Sequence, residues 1–281
     1  MPPRSRTVEH ERSTHRPLAA SDGTSQGPAG CGLFCPPQRT ISFLDRAVRV
    51  SVTLTRKENA VMASVSSASR LVAVAARARL RPLGLRQRGR SRLWLDDRGW
   101  WLGLVEFPSP QWSQGSGLHV GAMWLWQDVD HFTFNVGERL SGTVDYRDDG
   151  QFAPVAEDLA LLARERIVEL RCRFVDLESV ERHMAGRPVG RGLLWEAWNA
   201  GVVAALAGDT AAARKRFAAV LEEDPVVPWM DGAQRAAREL LDMVHDQGAV
   251  RAWVRERISS CRQRLSLESS EPAQGVFAGL L

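Results

Sequence analysis

The chain has 281 residues, 44% of them hydrophobic, 25% charged and 7% aromatic, with a formal net charge of +4. That is globular composition at a length that allows one large or two modest domains. No stretch approaches the roughly 18 consecutive apolar residues of a membrane span, and the N-terminus MPPRSRTVEHERSTHRP, acidic in places and without an apolar core, is no secretory signal.

The charge is unevenly placed. Residues 1–61 hold 9 basic and 5 acidic side chains, which is the whole of the +4. Residues 70–92 then carry eight arginines and no acid, whereas 93–281 hold 20 bases against 28 acids. The Arg70–Arg92 stripe is a candidate phosphate-facing surface; the simpler reading is the solvated face of one helix and the loop after it. The neutral body argues against nucleic acid. Arginine outnumbers lysine 35 to 2, the bias of a GC-rich bacterial genome. The body's single lysine, Lys215, sits in the helical sequence ARKRF. A P-loop, a Schiff-base lysine and a Ser-x-x-Lys nucleophile are thereby excluded.

Residues 1–40 are rich in Pro, Ser, Thr, Gly and Arg without periodicity, and 41–55 could at most form a strand pair. Segment 1–61 is expected to be disordered or a translated leader, with a fresh start and helix cap at Met62. Cys31 and Cys35 fall inside it, and Cys172 and Cys261 are isolated. Nothing suggests a disulfide framework, which points to the cytoplasm.

Residues 62–150 read as an α+β domain. Leu71, Val72, Ala75 and Leu80 form a helical stripe behind Ser-rich caps. Strands are expected over 92–95 and 100–107 around a turn at Asp96–Gly99, then over 118–126 and 131–136, with a short edge strand at 143–147. The strands at 100–107 and 118–126 are apolar on both faces, so helices or a second copy must cover both. GLRQRGRSRLWL (84–95), a tryptophan-rich strand and GLHVGAMWL (117–125) together resemble an uncharacterised bacterial α+β domain family. Leu85 stands where that family usually has an aromatic, and the resemblance implies a fold and no activity.

Residues 151–265 read as an all-helical bundle. PVAEDLALLARERIVELRCRFVDLESVERHM (154–184) is expected to be one helix, followed by helices over about 232–246 and 249–264 and a tail at 266–281. Between them, Asn199, Gly201, Gly208, Asp209, Ala213, Phe217 and Pro225 fall where the signature residues of a tetratricopeptide repeat fall. The resemblance implies two antiparallel helices in close approach at Gly201 and Ala213. Gly208 and Asp209 would form the turn, Phe217 fill the cleft and Pro225 end the pair. The family's first-helix aromatics are replaced by Ala204 and Ala205. One repeat cannot bury its own core, so the pair must stack on the helices around it.

Candidate chemistry is sparse. His119, His131 and Asn135 are the candidate ligand-binding side chains, with Asp128, Asp130 and Asp145 nearby in sequence; the alternative is a polar turn and the solvent face of a strand. Gly115–Gly117 and Gly186–Gly192 read as loops, since neither links a strand to a helix as phosphate binding requires. No catalytic constellation, metal site or cofactor motif stands out. Ten tryptophans against one tyrosine suggest a recognition surface or, preferred here, a tryptophan-rich core, with Trp195 and Trp198 against the preceding long helix. The leading expectation is a non-catalytic module that binds a protein or peptide, with a homodimer as one option. A small-ligand pocket near His119, His131 and Asn135 comes next, and nucleic-acid binding through the arginine stripe last.

Overall fold

The computed structural model describes residues 66–110, 114–188, 190 and 192–267. The expected leader with Cys31 and Cys35, the Met62 start, Trp112 and the tail beyond residue 267 lie outside the described residues. The fold is α+β. Helix α1 (Ser67–Leu80) leads into an antiparallel sheet, β1 (Arg86–Gln87), β2 (Leu93–Asp97), β3 (Trp101–Glu106), β4 (Gly115–Trp124) and β5 (Val136–Asp145). The strands lie side by side in chain order. Six helices follow: α2 (Asp149–Arg173), α3 (Leu177–Ala185), α4 (Leu194–Ala207), α5 (Thr210–Leu221), α6 (Pro228–Met243) and α7 (Gln247–Arg264). No helix among the described residues is long and apolar enough to cross a membrane.

Local chemistry explains most element ends. The Ser66 hydroxyl accepts from the Ser69 amide at the start of α1. At the β2–β3 hairpin, the Arg98 amide donates to the Trp101 carbonyl and Gly99 has φ +84°, the positive φ that a tight hairpin turn asks of glycine. Cross-strand register puts Trp94, Asp96, Trp101, Gly103, Val105, Val120, Ala122 and Trp124 on one face. Helices α1 and α2 cover that face. A Cβ on Gly103 would lie 3.0 Å from Ile167, so the absent side chain lets α2 lie close. Arg171 of α2 then grips buried Asp96 with two hydrogen bonds of 2.7 and 2.8 Å. Helix α2 thus packs on α1 and on β3 and β4 of the sheet.

The opposite face, with Leu95, Leu102, Leu104 and Met123, is equally buried, and the chain supplies cover itself. Residues 128–135 are irregular, not the strand expected at 131–136. Phe134 reaches the Gly121 backbone and Arg88 lies over the Phe132 ring. Alternation of Phe132 and Phe134 with polar residues thus reflects a loop laid on the sheet. The end of α7 fixes this layer: Arg262 binds Asp97 at 2.7 and 2.8 Å, and Cys261 donates from sulfur to the Val129 carbonyl. The double-sided burial that suggested a second copy is met within one chain.

Gly115–Gly117 is also corrected from loop to strand, at the start of β4. A Cβ at Gly115 would collide with the Val144 carbonyl oxygen, so glycine there admits the backbone of β5. The register between β4 and β5 slips twice between Ser116 and His119, bulging the edge strand and blunting it against further pairing. The expected helix over 154–184 is two helices. Asp176 and Ser179 form a reciprocal capping box that starts α3, while Phe174 and Leu177 keep the buried stripe running across the break.

Helix α4 is buried almost all round and is packed by α3, α5, α6 and α7. Gly208, at φ +84°, ends it and the Asp209 carboxylate caps α5 by accepting from the Ala212 amide. A Cβ on Gly201 would fall 2.6 Å from the Phe217 ring, so α4 and α5 approach at the small residue and the aromatic fills the cleft.

Candidate functional site

The three side chains proposed for a ligand pocket have separate partners. His119 lies in β4 between Glu106 of β3 and Arg139 of β5, all in register. Arg139 Nε donates to His119 Nε2 at 2.8 Å, which leaves the ring proton on Nδ1, 3.7 Å from a Glu106 carboxylate oxygen. Burial, then the Arg139 charge, push the His119 pKa below its ordinary value; burial pushes that of Glu106 up. His131 is exposed and its ring meets the neighbouring Asp130. Asn135 accepts from the Trp124 amide at 2.7 Å and donates to Gln127 Oε1 at 2.9 Å. No interaction among the described residues joins the three into one site. Nor does any group of three or more His, Cys, Asp or Glu side chains there have the placement to hold a metal ion.

Asn135 belongs instead to a polar chain that sequence reading missed. Gln127 Nε2 donates to Asn199 Oδ1 at 3.2 Å, and the same oxygen accepts from the Trp126 indole at 3.0 Å. Both ends fix the amide orientations, because a backbone N–H and an indole N–H can only donate. Gln127 and Asn199 are buried, so the chain ties β4 and its following loop to α4. Its sequence signal was slight: a glutamine after Trp-Leu-Trp and an asparagine in a helix whose other polar residue is Glu196.

The tryptophans of the sheet are core. Trp94, Trp100, Trp101, Trp124 and Trp126 are each at most 4% exposed. Trp100, Trp124 and Trp126 lie parallel with centroids 5.2–5.6 Å apart. Trp198 contacts Phe217 and Trp253, and Trp195 stacks on Trp229; these aromatic partners are on α5, α7 and α6. The arginine stripe is partly consumed by the fold as well. Arg70 and Arg79 pair with Asp149 and Glu157 of α2. Arg92 donates to Ser69 and to the Gly115 carbonyl.

A cluster of exposed apolar side chains lies between α5 and α6. Helix α5 ends at Leu221, and Pro225 holds Asp224 out of the α region. Pro228 restarts the chain at the first position of α6. The intervening valines join neither helix: Val226 is 80% and Val227 38% exposed, and Trp229 after them 44%. The segment is held firmly from below. Gln234 Nε2 of α6 donates to the Val220 and Glu223 carbonyls at the end of α5, and Glu223 Oε1 accepts from the Gly192 amide. A cleft of about 300 Å³ results, lined by Gly192, Leu194, Val226, Val227, Trp229 and Met230, with Glu223 and Asp224 at its rim. Trp195 extends the apolar surface, its ring 5.2 Å from that of Trp229 and tilted by 11°. Pro225 was anticipated only as a helix terminator. The visible signal was a Val-Val pair bracketed by two prolines and followed by tryptophan. Compared with protein-family models, curated proteins and solved structures, the chain matches none.

Proposed function

We propose that this protein is a non-catalytic interaction module that binds a peptide or protein segment on the surface formed by Val226, Val227, Trp229 and Trp195. The observation that carries the reading is an exposed aromatic and aliphatic cluster on a rigidly capped turn. Tryptophan anchors on a preorganised surface bind without first having to be ordered. The helix pair α4–α5, whose sequence resembles one tetratricopeptide repeat, borders the cleft: Leu194 begins α4, and the lining turn follows the end of α5. The polar groups around His119 and Asn135 are satisfied within the fold, which favours a binding surface over a catalytic pocket.

The test is selection of a random 12-residue peptide library displayed on phage against the immobilised full chain. Enriched peptides are expected to lose at least about tenfold in affinity when Val226→Asp or Trp229→Ala is introduced, with the far-ultraviolet circular dichroism spectrum unchanged. Peptides that bind both variants as tightly as the wild type would overturn the assignment, as would failure to enrich any.

A further inference from the structure

The cleft has a charge as well as an apolar floor. The turn and the first turn of α6 carry acids at Glu222, Glu223, Asp224 and Asp231, between the bases of Arg214–Arg216, of which Arg216 donates to the Ala185 and Arg187 carbonyls, and Arg235. On the facing segment 190–198 the acid is Glu196 and the base is Arg191, which lies outside the described residues. Glu223 and Asp224 line the cleft itself, and Glu222 and Asp231 flank it in the same turn and in the first turn of α6. The side chains of Glu222, Asp224 and Asp231 have no ion-pair partner among the described residues. Where the fold takes up an acid, an arginine of another element does so: Asp96 meets Arg171, Asp97 meets Arg262, and Asp128 meets Arg257 and Arg264. Glu222, Asp224 and Asp231 are exposed instead, beside an apolar cleft.

Resting on the binding surface proposed above, we infer that its occupant is a basic amphipathic peptide, one that places arginine or lysine beside an aliphatic or aromatic anchor. The anchor enters against Val226, Val227 and Met230. The cation meets the rim carboxylates, and a guanidinium can also lie over the exposed face of Trp229, where cation–π attraction adds to ion pairing. An acidic segment is disfavoured by the same rim, and a neutral one gains the apolar contact alone. Exposed ion pairs are individually weak, so the charge acts through several carboxylates together and sets preference more than total affinity.

The experiment uses the full chain and three fluorescently labelled 12-residue peptides on one apolar scaffold, carrying three Arg, three Gln or three Glu at the same positions, read by fluorescence anisotropy at low salt. The Arg peptide is expected to bind about tenfold tighter than the Gln peptide, and the Glu peptide weakest. That gap is expected to close in the triple variant Glu222→Gln/Glu223→Gln/Asp224→Asn, in which the amide introduced at position 223 retains an oxygen for the Gly192 N–H, and to shrink as salt is raised. Trp229→Ala is expected to weaken the Arg and Gln peptides alike. If the Arg and Gln peptides bind equally and both lose affinity with Trp229→Ala, the basic partner is refuted and the surface stands. If Trp229→Ala changes none of the affinities, or no peptide binds, both readings fall.

Discussion

Asn199→Ala tests whether the sheet and the helices are joined by the polar chain running through Gln127. The Asn199 carbonyl oxygen accepts from the Trp126 indole at 3.0 Å and from the Gln127 amide at 3.2 Å, and both donors are buried. Truncation leaves those two N–H groups without an acceptor. Each buried, unsatisfied polar group costs about 1–3 kcal/mol, so the expected loss for the two is about 2–6 kcal/mol, the lower end applying if water enters the space. Lost packing is a minor part, since only an amide is removed. Urea unfolding followed by tryptophan fluorescence and by circular dichroism measures the loss, with an unchanged m-value showing that the native state stays compact. The decisive measurement is a double-mutant cycle with Trp126→Phe, which removes one of the two orphaned donors. In that background Asn199→Ala is expected to cost at least about 1 kcal/mol less than in the wild type. Strict additivity, or a wild-type loss below about 1 kcal/mol, would refute the network as the tie between the two parts.

Three further outcomes are expected. Gly201→Ala gains roughly 1 kcal/mol of helix propensity, but its methyl would sit 2.6–3.1 Å from a Phe217 ring that is fully buried beside Trp198. Overpacking costs about 1–3 kcal/mol, so the variant is expected to be neutral to destabilised, and the same change in Phe217→Leu to be stabilising; a Phe217-independent effect in thermal unfolding would contradict the close approach. Asp209→Ala removes the cap on the Ala212 amide and is expected to cost about 1 kcal/mol in urea, against little change for exposed Asp231→Ala. The His119 pKa lies below 6.5 in the native state, so below about that pH the unfolded chain takes up a proton that the native chain resists. Stability is therefore expected to fall from pH 7 towards pH 5 more steeply in the wild type than in His119→Asn. Glu106, raised by burial, acts in the opposite sense just above pH 4.5, and a difference between the two proteins that does not vary with pH would refute the assignment.

Features decided by a few adjacent residues were legible in the sequence. The Gly99 hairpin, the Gly208–Asp209 turn and the small-residue contact of Gly201 with Phe217 follow from backbone freedom, side-chain capping and size. Features decided by distant elements were not. A strand and a loop lying on a sheet both alternate apolar with polar residues, so Phe132 and Phe134 could not distinguish them without knowledge of Gly121 beneath. Gly115 and Gly117 look like loop glycines until β5 is brought against them. The three candidate ligands failed for a related reason: His119 and Asn135 are polar because the fold uses them, one between strands and one at the end of a buried chain, and a sequence does not reveal that a polar side chain is already satisfied.

Tryptophan abundance drew attention to the sheet, yet exposure singles out a different tryptophan. Trp94, Trp100, Trp101, Trp124, Trp126 and Trp198 are each at most 4% exposed; burying them contributes to stability and needs no partner to account for it. Trp229 is held 44% exposed beside Val226 at 80%, apolar area that the native state leaves in water. Nothing in the local backbone requires a tryptophan there, because the turn is made by Pro225 and Pro228 and anchored by Gln234. A polar residue at 229 would start α6 equally well and remove the exposed ring. Trp229→Ser is therefore expected to leave the urea midpoint within about 0.5 kcal/mol of the wild type while abolishing capture of peptides selected on the wild-type chain. Equal losses of stability and binding would make Trp229 one more core residue, and the case for a surface at this turn would fail with it.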